Sequence, residues 1–403
     1  MYQMYQAQAD LTAQMRGWAS LTSSLLHTPF GDALAPYGMR QFTAGLDMMA
    51  RTGITHTRPA FGIVSTQIGG EAVPVFEEAA DATPFATLLH FKKASSTPLP
   101  RVLIVAPMSG HFSTLLRATV ITMLPENDVY LTDWHNARDV SLGDGSFTTD
   151  GYVDHIIRFL EKIGPGAHVV AVCQPCVPVL AAVAVMAEAG NAAQPHSMTL
   201  MAGPVDARVN PTAVNELASS HPIAWFEQLV TEVPARYAGA GRRVYPGFLQ
   251  VMAFVSMNPE RHIKAHLELY EDLATGKDQR AQSIAAFYDE YFAVADLPAE
   301  FYLETVRSVF QAYELAKGTL QWHGRRVNPA AIERTSLLTV EGERDDVCGI
   351  GQTMAAQDLC SSIRPYRKRH HLQPGVGHYG VFSGSRWTRQ IYPVLRNVIL
   401  AAN

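Results

Sequence analysis

The stretch Val169-Val170-Ala171-Val172-Cys173-Gln174-Pro175-Cys176 decides the fold of this chain. A short apolar run with strand character stops at a cysteine, and an alanine- and valine-rich stretch with helical character follows. A side chain on such a strand-to-helix turn stands above the edge of a buried sheet. The N-terminus of the following helix stabilises negative charge there, and a thiolate carries that charge. The pattern therefore predicts that Cys173 is a nucleophile.

Strand-like and helical segments alternate on both sides of this turn. The helical segments next to it are 152–163 and 177–188. The strand-like runs are 61–65, 73–76, 85–91, 102–105, 129–132, 169–172, 197–201, 337–340 and 368–372, and a closing helix is predicted over 386–400. Such alternation predicts right-handed βαβ units, and so an α/β fold with a mostly parallel sheet flanked by helices.

The sequence divides into three parts on this pattern. Residues 1–204 are predicted to be the first part of the sheet domain, and 1–58 within it are helical leader segments broken by Pro29 and Pro36. Residues 205–334 show helical periodicity, no convincing strand and many aromatic residues, which predicts an inserted helical cap or lid. Residues 335–403 are predicted to complete the sheet domain.

Composition excludes several classes of protein. A chain of 403 residues with 47% apolar content can bury a large core, as a globular enzyme does. The net charge of −5 and the lack of a dense basic run argue against a nucleic-acid partner. No apolar run is long enough for a transmembrane segment, and the first residues lack the features of a signal peptide. Four cysteines are too few for a disulfide framework. We therefore expect a cytoplasmic protein.

An acid and a base candidate follow Cys173 in the order that α/β-hydrolases use. Asp345 comes three residues after Gly342, directly behind a predicted strand, and His378 lies between glycines in a later loop. Asp346 competes with Asp345, but the Gly-x-x-Asp spacing favours Asp345. A lone cysteine or loop histidine is usually incidental, whereas the ordered set predicts the triad Cys173, Asp345 and His378.

The segment after the strand at 102–105 is the candidate for an oxyanion hole. Backbone N–H groups in the run from Met108 through Ser109 would supply one donor, and the N–H of Gln174 the other, because Pro175 has no N–H. His111 follows closely. We interpret it as structural or as a substrate contact rather than as the base, because His378 fits the base position by chain order.

Longer segments carry a resemblance to a known family. They are Pro107-Met108-Ser109-Gly110-His111, Leu131-Thr132-Asp133-Trp134-His135-Asn136-Ala137-Arg138, Val172-Cys173-Gln174-Pro175, Gly349-Ile350-Gly351-Gln352-Thr353 and His378-Tyr379-Gly380-Val381-Phe382. Together they resemble the intracellular polyhydroxyalkanoate (poly-3-hydroxybutyrate) depolymerases of the α/β-hydrolase superfamily. Asp133 and Trp134, at the end of a predicted strand, are interpreted as fold support.

The resemblance implies an α/β-hydrolase core and a Cys-Asp-His triad that works through an acyl-thioester. The implied substrate is amorphous polyester at the surface of cytoplasmic storage granules, with release of 3-hydroxybutyrate monomers or oligomers. No metal and no bound cofactor are implied. Coenzyme A is an alternative to water as acyl acceptor, and a homodimer is left open.

The strand-to-helix turn at Cys173, here called the elbow, departs from the general α/β-hydrolase pattern Gly-x-nucleophile-x-Gly. Ala171 and Pro175 stand at the two glycine positions. The resemblance to the depolymerases implies this departure, which argues against polyhydroxyalkanoate synthases.

A synthase-like enzyme or another Cys-dependent acyltransferase or thiolytic enzyme is the main alternative. A thioredoxin-like oxidoreductase built on Cys173 and Cys176 would leave Asp345 and His378 unexplained. A non-enzymatic granule-coat protein would need no ordered triad.

Overall fold

A nine-stranded sheet runs through the molecule in a computed structural model that describes residues 1–26, 37–95 and 98–403. The strands, in chain order, are β1 (Ser65–Ile68), β2 (Glu71–Ala82), β3 (Ala86–Lys93), β4 (Arg101–Val105), β5 (Asp128–Trp134), β6 (His168–Val172), β7 (Ser197–Met201), β8 (Thr231–Glu232), β9 (Arg243–Tyr245), β10 (Leu297–Pro298), β11 (Gln321–Trp322), β12 (Arg325–Arg326), β13 (Ser336–Gly342) and β14 (Lys368–Gln373). The large sheet has the order β1-β2-β3-β5-β4-β6-β7-β13-β14. Its first three pairings are antiparallel and the remaining five are parallel.

The central strands are buried along their whole length. Every residue of β6 and β7 is buried, as is all of β4 after Arg101. Parallel strands covered on both faces read as continuous apolar runs, which is why β6 is Val-Val-Ala-Val after its first residue. The strand order reverses around β4, with β5 on one side and β6 on the other, and this reversal leaves a crevice at the carboxyl ends of the strands.

Helices flank the sheet and make up much of the remainder. They are α1 (Tyr2–Leu26), α2 (Tyr37–Arg51), α3 (Arg117–Met123), α4 (Thr149–Ile163), α5 (Cys176–Glu188), α6 (Ala213–Ser220), α7 (Ile223–Glu227), α8 (Gly247–Met257), α9 (Pro259–Thr275), α10 (Asp278–Tyr291), α11 (Ala299–Thr305), α12 (Ala356–Leu359), α13 (Gly384–Arg386) and α14 (Tyr392–Ala402). The structure confirms the predicted α/β-hydrolase class, a mostly parallel sheet between helices. None of the helices in the described ranges has both the length and the hydropathy that crossing a membrane requires.

Most predicted strands and helices overlap the observed ones, with three differences. The strand predicted at 61–65 is wrong: only Ser65 belongs to β1, and Phe61 and Ile63 are buried by packing rather than by strand pairing. Residues 205–334 are mainly helical but contain the five short strands β8 to β12, which the periodicity did not predict. The helix predicted over 386–400 is split into α13, a π-helical turn over Trp387–Ile391 and α14.

The predicted helical leader segments at the N-terminus are observed as the helices α1 and α2. Pro29 and Pro36, the predicted breaks between them, lie outside the described residues. The division into a sheet domain and an inserted cap stays a prediction.

Candidate active site

Cys173 sits on a left-handed turn between β6 and α5. Its φ is +68°, a conformation that costs a residue with a side chain about 1 to 3 kcal/mol. Its N–H donates a 2.7 Å hydrogen bond to the carbonyl of Met201, and its own carbonyl accepts one from Cys176 at 3.1 Å. These bonds fix the strained turn, so the Cys173 side chain is carried at the carboxyl edge of the sheet, where it is partly exposed.

Gly203 supplies the space that the missing elbow glycines would otherwise give. A Cβ atom at this position would lie 2.3 Å from the sulfur of Cys176 and 2.5 Å from the carbonyl oxygen of Cys173. Both distances are far below van der Waals contact, so only glycine fits at position 203. Sequence reasoning missed Gly203. The one feature of the sequence that could have indicated Gly203 is its position two residues after the end of β7, the strand next to β6.

Gly203 is itself held by a chain of buried polar groups. Its N–H donates to the hydroxyl of Thr353, and that hydroxyl donates to its carbonyl, each over 2.9 Å. The buried carboxylate of Glu341 accepts backbone N–H groups from Gly351, Thr353 and Met354 at 2.8 to 3.0 Å. The Gly349–Thr353 segment, which carried part of the family resemblance, therefore supports the turn from beneath.

His378 and Asp345 form a buried pair. The Nδ1 atom of His378 lies 2.8 Å from Oδ2 of Asp345, and the two side chains are 7% and 1% exposed. The other carboxylate oxygen, Oδ1, accepts the N–H groups of Val347 and Cys348 at 2.9 and 2.8 Å. Asp346 is exposed. The structure thus places Asp345, rather than Asp346, beside the imidazole.

The electrostatic environment of His378 favours the imidazolium. Burial by itself lowers the pKa of a histidine. The charge of Asp345, the Cys173 thiol and hydrogen bonds with both groups outweigh that effect and raise the pKa of His378 well above its usual value. The proton affinity of this imidazole is therefore higher than that of a free histidine.

The loop after β4 is fixed through one carbonyl. The oxygen of Ala106 accepts a 2.8 Å hydrogen bond from the indole N–H of Trp134 and a 2.9 Å bond from the hydroxyl of Tyr152. The N–H of Ala106 donates to the hydroxyl of Thr132 at 2.9 Å. Trp134 thus supports the fold, as expected. Tyr152 and Thr132 do so as well, and sequence reasoning did not single them out for this.

Asp133 is a buried carboxylate on the same strand. It accepts a hydrogen bond from the Ser113 hydroxyl and pairs with Arg58, whose Nε lies 2.7 Å from its Oδ2. Burial raises its pKa, although Arg58 opposes the shift. The pair joins β5 to the segments at Arg58 and Ser113, so Asp133 also supports the fold.

The proposed oxyanion donor at Met108 already has a partner. Its N–H donates to the side-chain oxygen of Gln174 over 3.1 Å. The residue after the nucleophile therefore reaches across to the loop after β4 with its amide group. An oxyanion formed on a substrate would compete with that amide oxygen for the same N–H.

His111 lies on the far side of this loop, against the aromatic residues of 205–334. It is 5% exposed, its ring lies 5.8 Å from that of Phe254 and 5.1 Å from that of Tyr291, and burial lowers its pKa to about 4. Its Nε2 atom is buried with no hydrogen-bond partner among the described residues. A neutral histidine in this position fits a structural or substrate-contact role better than that of a base.

A small cavity adjoins Gln174. It has a volume of about 30 Å³ and lies between α4, α5 and residues near 305–327. Its lining is mostly apolar, with Val177 and Pro178 on one side and Val309, Phe310 and Trp322 on the other. This is enough room for a group about the size of a water molecule or a methyl.

The chain is similar to known proteins in sequence and in structure. A family model described as the C-terminus of PHB de-polymerase matches residues 202–403, half of the chain. No curated protein sequence matches the chain. Among solved structures, a putative lipase from Acinetobacter baumannii AYE is 14% identical with a TM-score of 0.47, over 81% of this chain and 93% of that one. A putative aryl esterase from Burkholderia cenocepacia is 12% identical with a TM-score of 0.46, over 81% and 100%.

Replacing Asp345 by asparagine should lower the pKa of His378. The carboxylate charge that raises this pKa is lost while the burial that lowers it remains. A ¹³C-labelled histidine titration followed by NMR measures the shift. We also expect ester hydrolysis to fall about a thousandfold or more. Asp346→Asn is the matched control, and an equal effect of both variants would contradict the pairing.

Replacing Gly203 by alanine should destabilise the protein by about 3 kcal/mol, because the added methyl group collides with Cys176 and with the Cys173 carbonyl. Urea unfolding measures the loss. Gly143→Ala is the control, since a Cβ there would meet Ser141 at an ordinary 3.6 Å. We expect that variant to stay within about 0.5 kcal/mol of the wild type. Equal stabilities of the two variants would refute the close approach.

Proposed function

The chain belongs to the PHB depolymerase family, and on that premise we propose that it hydrolyses amorphous poly(3-hydroxybutyrate) with Cys173 as the nucleophile. The protein is a carboxylic ester hydrolase. The proposal for the nucleophile depends on one observation: a buried His378–Asp345 pair shares the carboxyl edge of the sheet with a cysteine on a left-handed strand-to-helix turn.

The reaction begins with proton transfer from the Cys173 thiol to Nε2 of His378, whose Nδ1 faces Asp345. The thiolate attacks the ester carbonyl carbon, and a tetrahedral intermediate with a negative oxygen forms. As the carbon–oxygen bond breaks, His378 returns its proton to the departing alkoxide, leaving a hydroxyl chain end and an acyl-thioester on Cys173. His378 then takes a proton from water, which attacks the thioester carbon. The carbon–sulfur bond breaks, the carboxylic acid leaves, and His378 returns the proton to the Cys173 thiolate.

Two backbone donors would stabilise the tetrahedral oxygen. One is the N–H of Gln174, at the start of the turn into α5. The other is in the loop after β4, at Met108 or Ser109, and each such donor is worth about 3 kcal/mol of barrier. Use of Met108 requires the Gln174 amide oxygen to leave, because the two groups are bonded at 3.1 Å.

The surroundings of the site fit a polyester of small monomers. The cavity beside Gln174 is mostly apolar and has a volume of about 30 Å³, which is room for a methyl substituent. All four cysteines are free, as expected in a reducing compartment that would also hold storage granules. We therefore assign the site to short-chain polyhydroxyalkanoate in cytoplasmic granules.

The test is release of 3-hydroxybutyrate from amorphous granules by the wild type and by Cys173→Ala, with and without coenzyme A. We expect the wild type to release soluble acid without coenzyme A and the variant to lose about a thousandfold or more in rate. Cys176→Ala is the matched control: this thiol is fully buried and its pKa is raised well above its usual value, so it should not react.

Three outcomes would overturn parts of the proposal. Activity retained by Cys173→Ala would exclude the thiol nucleophile. Release that requires coenzyme A would favour a thiolytic enzyme. A wild type that cleaves soluble 3-hydroxybutyrate oligomers but never the polymer would exclude the polymeric substrate.

A further inference from the structure

The N-terminal helix α1 packs on the protein with one face only. Tyr2, Ala19 and Ser23 are buried on that face. The hydroxyl of Tyr2 donates to the buried carboxylate of Asp296 over 2.6 Å, and the ring of Tyr5 stacks on Phe248 at 3.9 Å. The helix is therefore anchored by specific contacts, and its orientation on the protein is fixed.

The opposite face of α1 is apolar and exposed. The exposed fractions of its large apolar side chains are between 55% and 78% for Met1, Met4, Leu11, Met15, Trp18, Leu21 and Leu25. Most follow spacings of three, four or seven residues, so they form one stripe along the helix, here called the α1 stripe. From Met4 to Leu25 it is about 32 Å long. Soluble proteins rarely leave such a surface without a partner.

The α1 stripe carries no charge. Of the two charged residues of the helix, Arg16 lies on the anchored side, whereas Asp10 is exposed and paired with Arg236. Asp10 accepts hydrogen bonds from Arg236 at 2.8 and 3.1 Å, and Arg16 donates to Thr12 at 2.6 Å and lies against Gly53. An uncharged apolar surface complements an uncharged apolar partner.

This lack of charge discriminates between partners. Helices that lie on anionic membranes place Lys and Arg beside the apolar face, and α1 has none there. Helices that pair with another copy usually carry several charged residues at the flanking positions that set register, whereas α1 has one exposed charged residue, Asp10, which is already paired with Arg236. An amorphous polyester carries no charge, and its surface has no regular repeat with which a helix would have to align. The flexible side chains of Met4 and Met15 suit such an irregular surface.

The helix also lies in the part of the molecule that adjoins the candidate site. Tyr5 and Thr12 line a groove of about 550 Å³ together with Tyr288 and Phe292, at the end of α10 and just beyond it. Tyr291, between those two residues, contacts Tyr379 with ring centroids 6.1 Å apart, and Tyr379 follows His378. The anchored face of α1 therefore adjoins the elements that carry the imidazole, and the α1 stripe lies on the other side of the same helix.

We propose that the α1 stripe is the surface on which the protein lies on its solid substrate, an uncharged amorphous polyester. This rests on the proposed function. Docking through α1 concentrates the enzyme on the polymer and leaves the chemistry at Cys173 unchanged.

The test removes the stripe without disturbing the anchored face. Leu11→Gln, Met15→Gln and Trp18→Gln are combined, since glutamine keeps a good helix propensity. We expect the partition constant on protein-free amorphous poly(3-hydroxybutyrate) granules to fall at least about tenfold. Hydrolysis of granules should fall with it, while hydrolysis of a soluble 3-hydroxybutyrate oligomer stays within about twofold. Binding is measured in the Cys173→Ala background, so it does not depend on catalysis.

The control variant removes exposed apolar side chains elsewhere: Phe76→Gln, Ile121→Gln and Leu142→Gln, which are 56%, 50% and 55% exposed in the wild type. It should bind granules like the wild type. Equal losses in both variants, or no loss in the α1 variant, would overturn the proposal.

Two further measurements decide between partners. Sedimentation equilibrium that shows a dimer for the wild type and a monomer for the α1 variant would assign the stripe to a second copy and overturn polymer docking. Equal binding to phosphatidylcholine vesicles and to granules would overturn polyester as the intended surface. Failure of the wild type to cleave the soluble oligomer would refute the proposed function, whereas loss of granule binding alone leaves that function intact.

Discussion

The left-handed turn at Cys173 is the constraint to which the other parts of the site are fitted. A φ of +68° in a residue with a side chain stores about 1 to 3 kcal/mol of strain, which must be compensated by neighbouring contacts. The parallel pairing of β6 with β7 and the bond from Cys173 to Met201 provide that compensation. Gly203 then allows α5 to start directly against the adjacent segment. The thiol position is thus set by the core of the sheet.

The parallel strands bring the other groups to the same edge. β4 is the neighbour of β6 on one side, whereas β13 and β14 lie beyond β7 on the other. Since neighbouring strands are about 4.8 Å apart, the loop after β14 must reach back over about 14 Å to meet the thiol. Bonds from the N–H of Arg344 to Val376 and from Gly375 to the carboxylate of Glu343 tie that loop to the one after β13. His378 and Asp345 are consequently carried on two loops that are bonded to each other.

Chain order and periodicity sufficed to predict the sheet class and to select Cys173, Asp345 and His378 as candidates, because each lies within five residues of the end of a strand. The supports of the site leave no such pattern. Gly203, the Gln174–Met108 bond and the two donors on Ala106 are contacts between segments far apart in sequence, and a single sequence does not record which segments meet. The strand expected at 61–65 failed for a related reason: alternating buried residues also arise where a coil packs on the core.

The bond from Met108 to Gln174 has a consequence for catalysis. A buried backbone N–H without a partner costs about 1 to 3 kcal/mol, so the amide oxygen stabilises the loop while no substrate is bound. A neutral ester carbonyl offers little advantage over that amide oxygen as an acceptor. A developing oxyanion is a better acceptor than the amide oxygen, because hydrogen bonds to charged acceptors are roughly twice as strong as those to neutral acceptors. In the proposed mechanism, the exchange would therefore be favourable mainly as the tetrahedral state forms, and the Met108 N–H would stabilise the transition state more than the bound ester.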